Sequence, residues 1–367
     1  MASSPHGVSM KRRRFLSLSI AGLVVGSGIA GYATYKKCED DNTVAFLGCA
    51  RDGNDGYMFT GANAQGEPCY TVPLSTRGHG VAIDRIRDFA FIFSRRPGEF
   101  ITVVEIQTGK LLSTYSVSER YHLYGHGVVV GDKLYTSEGE RTTSNGVIGI
   151  YQIWQDGTLD RVGEHTGFGL GPHEIMAIDH STLALAVGGI QTQGREPLNI
   201  ETMSPSLVLI DIHFGKVLGI HTLPDHQMSI RHLAMSTKGE IVTAQQYRGS
   251  KDDVQPLLAI RRLSGEYQQL VATTEQWSSF NQYIGSVACT ESQIVATSPR
   301  GNCYGIWNIE SGELEELGPL LDASGAAAKP DRFALSAGSG RLVIQNVQKN
   351  IEFQTSEVHW DNHWVML

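Results

Sequence analysis

The chain reads as an all-β protein, a seven-bladed β-propeller closed by pairing a C-terminal inner strand with N-terminal strands. Three observations predict this. A unit of about four short strands recurs at intervals in the forties, a histidine marks the same point in successive units, and the two ends of the chain complete each other. Glycine is frequent, with 41 residues spread through short apolar runs, as many tight turns require.

The repeat is clearest in two stretches. One runs from Val44–Arg51 to Gly78-His79-Gly80, the other from Phe89–Arg96 to Gly125-His126-Gly127. Each has an apolar strand leading into arginine, a glycine-bearing turn, two further strands and a closing Gly-His-Gly. His79, His126 and His173 are spaced 47 residues apart. His232, Ser286, Arg332 and His363 continue the phase, so inner strands are expected to start at 79, 126, 173, 232, 286, 332 and 363. A lone blade cannot bury both faces, so blades stack around an axis and share a core. Val44–Cys49 matches the second strand of a blade, and Asn362–Leu367 matches an inner strand. Pairing them closes the ring and removes the exposed edges. The short interval from 332 to 363 leaves a six-bladed ring as the alternative.

Residues 1–37 stand apart from the propeller expected over 40–367. Lys11-Arg12-Arg13-Arg14-Phe15-Leu16 precedes an apolar, glycine-rich run from Leu18 to Ala33, the pattern of an export signal. Arg-Arg-x-Phe-Leu at 12–16 is similar to a twin-arginine signal, so a periplasmic location is expected, with an uncleaved N-terminal anchor as the alternative and the only route to a membrane. Net charge is −8, and no long basic stripe lies outside the N-terminus, which argues against nucleic-acid binding.

The histidine row is the leading site. His363, His79, His126, His173 and His232 would form a continuous arc at one channel mouth, with Glu174 adjacent. Imidazoles at one level suit iron, copper or haem iron. The same array could serve as acid or base, or each ring could merely cap a neighbouring blade's backbone. A second set, Arg51, Arg77, Arg95, Arg231, Arg300 and Arg332, follows second strands or flanks phase positions and is suited to carboxylate or phosphate. Inter-blade ion pairing is its structural alternative. Glu138 and Glu140 occupy a comparable position. Cys49 with Cys69, and Cys289 with Cys303, are close enough in sequence to pair in an oxidising compartment. No Gly-x-Ser-x-Gly, P-loop, dinucleotide fingerprint or His-Glu-x-x-His motif occurs.

The signal at 12–16, Arg77-Gly78-His79-Gly80, Tyr124-Gly125-His126-Gly127, Gly171-Pro172-His173-Glu174 and Ser229-Ile230-Arg231-His232 together resemble the exported propellers of domain-of-unknown-function family fifteen-thirteen. The resemblance spans roughly residues 40–367. It implies a bacterial periplasmic setting beside imelysin-type iron-regulated and di-haem oxidase-like proteins. Other periplasmic iron-handling proteins are then the expected partners. On this reading the protein is a binding or accessory protein in metal handling. A metal-dependent lactonase, an oxidoreductase and a docking scaffold are the alternatives. The resemblance carries over no catalytic residue.

Overall fold

The computed structural model describes residues 34–35, 43–51, 56–193, 196–346 and 351–367. Apart from Thr34–Tyr35, the signal segment expected over 1–37 lies outside them. Among the described residues no helix is long and apolar enough to cross a membrane.

Six four-stranded antiparallel sheets and one of five strands form the ring, so the count is seven blades and not six. Their inner strands are Gly78–Asp84, Tyr121–Val130, Pro172–Ala177, Met228–Met235, Ser286–Cys289, Ala323–Lys329 and His359–Met366, numbered here as blades one to seven. The second strands are continuous apolar runs because blades cover both faces: every residue of Phe89–Ser94 is buried. Phe91 and Phe93 of blade one pack with Leu123, Leu134 and Tyr151 of blade two. Full burial of a side chain of this size contributes about 1.5–3 kcal/mol.

Blade seven is the closure. Its inner strand His359–Met366 pairs with Phe46–Arg51, with Phe46 opposite Met366 and Gly48 opposite Trp364. Thr34–Tyr35 adds a short outer pairing, opposite Thr71 and Tyr70. Trp364 stacks on Phe46 at 4.5 Å, and Trp360 meets Trp364 edge-on at 4.8 Å. Gly48 makes room for this packing, since a Cβ there would lie 2.7 Å from Trp364 Cδ1.

Two expectations are corrected. Arg332 does not begin an inner strand. Arg332–Ala337 is the second strand of blade six, and the inner strand is Ala323–Lys329. That strand, Ala-Ser-Gly-Ala-Ala-Ala-Lys, lacks the branched and aromatic residues that mark the others, so the repeat was assigned one strand late. Arg332 is exposed, sits opposite Lys329 at the hairpin and lies at the end of the blade away from the mouth. The cysteine pairings also fail: Cys49, Cys69, Cys289 and Cys303 are all free thiols. Within each pair the partners lie two strands apart in one sheet. That places them about 9.6 Å apart at a strand spacing of about 4.8 Å, beyond the roughly 7 Å Cα separation that a disulfide spans. Cys38 lies outside the described residues.

Candidate metal centre and its arginine-lined mouth

The inner strands share a backbone device. Register shifts interrupt six of the seven; in five blades the shift falls at or beside the phase histidine, and in blade six it falls at Ser324. His79 and Gly80 occupy the shift in blade one, and Tyr124, Gly125 and His126 that in blade two. His173 and Glu174 occupy it in blade three, and Asp361, Asn362 and His363 in blade seven. In blade four Arg231 is the extra residue and His232 resumes the pairing. A bulge re-aims the side chain it carries, and here successive bulges turn imidazoles towards a common centre. The histidine phase therefore has a structural cause beyond repeat descent.

The five histidines expected from sequence do converge. The ring centroids of His79, His126 and His363 lie 4.5–4.8 Å apart. His173 lies 4.7 Å from His126 and 4.9 Å from His232, and His232 lies 4.7 Å from His363. Ligand atoms of His126, Glu174, His232 and His363 are all within 4.8 Å of one another, as are those of His79, His126 and His173. Glu174 Oε2 lies 3.2 Å from His232 Nδ1 and accepts from the Leu233 N–H at 3.1 Å.

Burial dominates the electrostatics. It holds His79, His126 and His173 well below the usual imidazole range, and neighbouring histidines reinforce the shift. Burial also takes His232 and His363 down to about 3. The same cause pushes Glu174 up to about 7, against the attraction of His363. Neutral imidazoles are the metal-binding form. His79 Nδ1, His126 Nε2, His173 Nδ1 and His363 Nε2 are buried without a hydrogen-bond partner. Such orphaned groups cost roughly 1–3 kcal/mol each, so four in one cluster require an explanation.

Local strain accompanies the cluster. His363 has φ 72°, uncommon for a residue other than glycine and costing about 1–3 kcal/mol. Gly125 has φ 101°, and a Cβ there would lie 2.7 Å from His79 Cδ2. Gly125→Ala is therefore expected to lower stability by about 2–4 kcal/mol, read as the shift in a urea denaturation midpoint.

Two cavities that share Arg95, Tyr283, Arg300 and Asn362 lie at the mouth, and the inner one meets the histidines. The outer, about 630 Å³, is lined by Arg51, Arg77, Arg95 and Arg300 among others. The inner, about 230 Å³, meets His79, His173 and His232 together with Arg231, Arg95 and Arg300. Five of the six arginines expected from sequence thus reach the mouth, and Arg332 does not. Arg77 forks onto Asp361, tying blade one to the closing blade. Glu138 is not at the mouth: it is fully buried within blade two, bonded to Tyr151 Oη and Arg161. Glu140 pairs with Arg120 at 2.7 Å. Sequence reasoning missed Arg96, Arg248, Tyr283 and Asn362, which also line the inner cavity. Arg248 carries a usable signal, because it follows the second strand Ile241–Tyr247 just as Arg95 and Arg300 follow theirs.

Fold and site define a seven-bladed propeller with a largely buried histidine–glutamate cluster at one channel mouth. The chain belongs to the family described as protein of unknown function (DUF1513), whose model matches residues 72–367. Among solved structures, hydrazine synthase of Kuenenia stuttgartiensis is similar, with 14% identity and a TM-score of 0.59 over 88% of this chain and 97% of that one. BamB from Moraxella catarrhalis is similar at 13% identity and a TM-score of 0.51, over 90% and 91% of the two chains. At these identities the likeness concerns the fold alone. No curated protein matches the chain.

Proposed function

We propose that the protein binds a transition-metal ion, iron foremost, through His79, His126, His173, His232, His363 and Glu174. On this reading it is an exported binding or accessory protein in metal handling. The observation that carries the proposal is the set of four buried imidazole nitrogens without partners in a single cluster. The donor set of nitrogen and one carboxylate suits iron, copper or zinc. Within each of the two groups, His126/Glu174/His232/His363 and His79/His126/His173, the spacing suits one ion: ligands opposite each other across a metal are about 4.2 Å apart for bonds of about 2.1 Å, close to the 4.8 Å limit of either group. Haem fits poorly, because imidazoles with centroids 4.5–6.0 Å apart leave no slot for a planar macrocycle.

His126 belongs to both ligand groups, so its loss is expected to affect either arrangement. Metal analysis of protein purified from the periplasm tests the reading. About one iron, copper or zinc ion per chain is expected, falling to background in the His79→Ala/His126→Ala/His173→Ala variant. Wild-type protein that holds no more metal than this variant after exposure to iron(II), copper(II) and zinc(II) would reject it. An enzyme acting at the same mouth is the second reading, favoured by the open cavity that reaches three of the histidines.

A further inference from the structure

The inner cavity has a charge balance that a metal centre alone does not explain. Among the described residues its lining includes the guanidinium groups of Arg231, Arg248 and Arg300 and no carboxylate. In the outer cavity the carboxylates are Asp322 and Asp361, and Asp361 is already taken by Arg77.

The deepest arginine is the most telling. Arg231 is 4% exposed, and its Nε has no hydrogen-bond partner. Arg248 Nε and Tyr124 Oη, which line the same cavity, are likewise buried and unpartnered. Arg248 spends one Nη2–H on Gln246 Oε1 at 3.1 Å. A cation removed from water without a counter-charge is costly, and Arg231 and Arg248, which face one chamber, repel each other as well. An anion resolves both costs together and satisfies the orphaned donors. Guanidinium forks match carboxylate and phosphate oxygens in pairs. The chamber of about 230 Å³ has room for on the order of eight waters at about 30 Å³ each, which sets the scale of a small molecule.

We propose that the inner cavity binds a small oxyanion of two or more negative charges, a di- or tricarboxylate or inorganic phosphate, on Arg231 and Arg248. This site lies beside the histidines but does not require a metal in them. Tyr124 Oη donates to the anion, and Arg300, shared by both cavities, draws it inward from the outer chamber. The attraction weakens with salt, because the outer groups are exposed to screening.

Calorimetric titration of the metal-stripped full chain with citrate, succinate and phosphate, at low ionic strength, tests the site. Saturable binding of at least one is expected, and the responding anion separates carboxylate from phosphate chemistry. Arg248→Gln is expected to weaken that binding about tenfold or more through loss of charge-assisted hydrogen bonds, with its denaturation midpoint near that of wild type. Tyr124→Phe, which removes the proposed hydroxyl donor, provides a second variant should Arg248→Gln fold poorly. No binding of any of the three by wild type, or unchanged affinity in a folded variant, overturns the proposal. Because the protein is metal-stripped, failure of the metal reading leaves the result untouched, and metal binding without anion binding rejects this inference alone.

Discussion

Truncation before His359 is expected to prevent the ring from closing. The lost strand carries Trp360 and Trp364, which are 2% and 5% exposed, and supplies the ladder partner of Phe46–Arg51. Loss of a buried aromatic of this size costs about 3–5 kcal/mol. Two such losses approach the roughly 5–15 kcal/mol that stabilises a typical domain. Truncation also leaves the second strand of blade seven as an open edge. The product should aggregate or elute at an expanded volume in size-exclusion chromatography. Trp364→Ala isolates the packing contribution, and its urea denaturation should show a loss of about 3–5 kcal/mol with the ring intact. A truncated chain with wild-type stability would show that the ring holds without the inner strand of blade seven.

Metal-stripped protein is expected to lose stability steeply on acidification from pH 7 to pH 5. His232 and His363 are held at about 3 in the folded protein by burial, whereas an unfolded histidine titrates near pH 6.5. Their stabilising contribution is therefore present above about pH 6.5 and is lost as pH falls towards 3. At pH 5 each accounts for about 2 kcal/mol of that loss. His79, His126 and His173 act in the same direction. Glu174 opposes them: raised to about 7, it stabilises the fold at low pH and loses that contribution as pH rises through 7. Between pH 7 and pH 5 it returns about 2 kcal/mol, enough to cancel one histidine but not the set. Thermal melts at the two pH values check this, and a melting temperature unchanged at pH 5 would mean that the histidines take up protons within the fold.

The parts of the molecule that were legible in the sequence are those with a repeating physical demand. Blade two-face burial forces apolar second strands, and phase histidines recur because each sits at the same bulge, so His79, His126, His173, His232 and His363 could be brought together by counting. Closure was visible because Phe46–Arg51 needs an inner partner that only His359–Met366 supplies. Blade six was misread because Ala323–Lys329 buries small residues against its neighbours and carries no periodic marker. Arg231 was found through its histidine neighbour. Arg96 and Tyr283 reach the inner cavity from connections between strands, where no repeat sets their position. The cysteine pairings failed because proximity along the chain says nothing about how many strands intervene.

The bulges have a consequence for how such a mouth can change. Where a side chain's aim comes from an inserted backbone residue, its direction is fixed before its identity is chosen. The ring then behaves as a panel of interchangeable sockets. Blade six already has one, filled by Ser324 at its register shift, whereas blade five has no shift in its described ladder and presents Ser286. New chemistry at the mouth then calls for exchanging the residue in a socket, with no change to the strands that hold the blades together. The scaffold and its specificity are thus separable, and relatives that keep these bulges while varying their occupants would share an architecture and differ in what they hold.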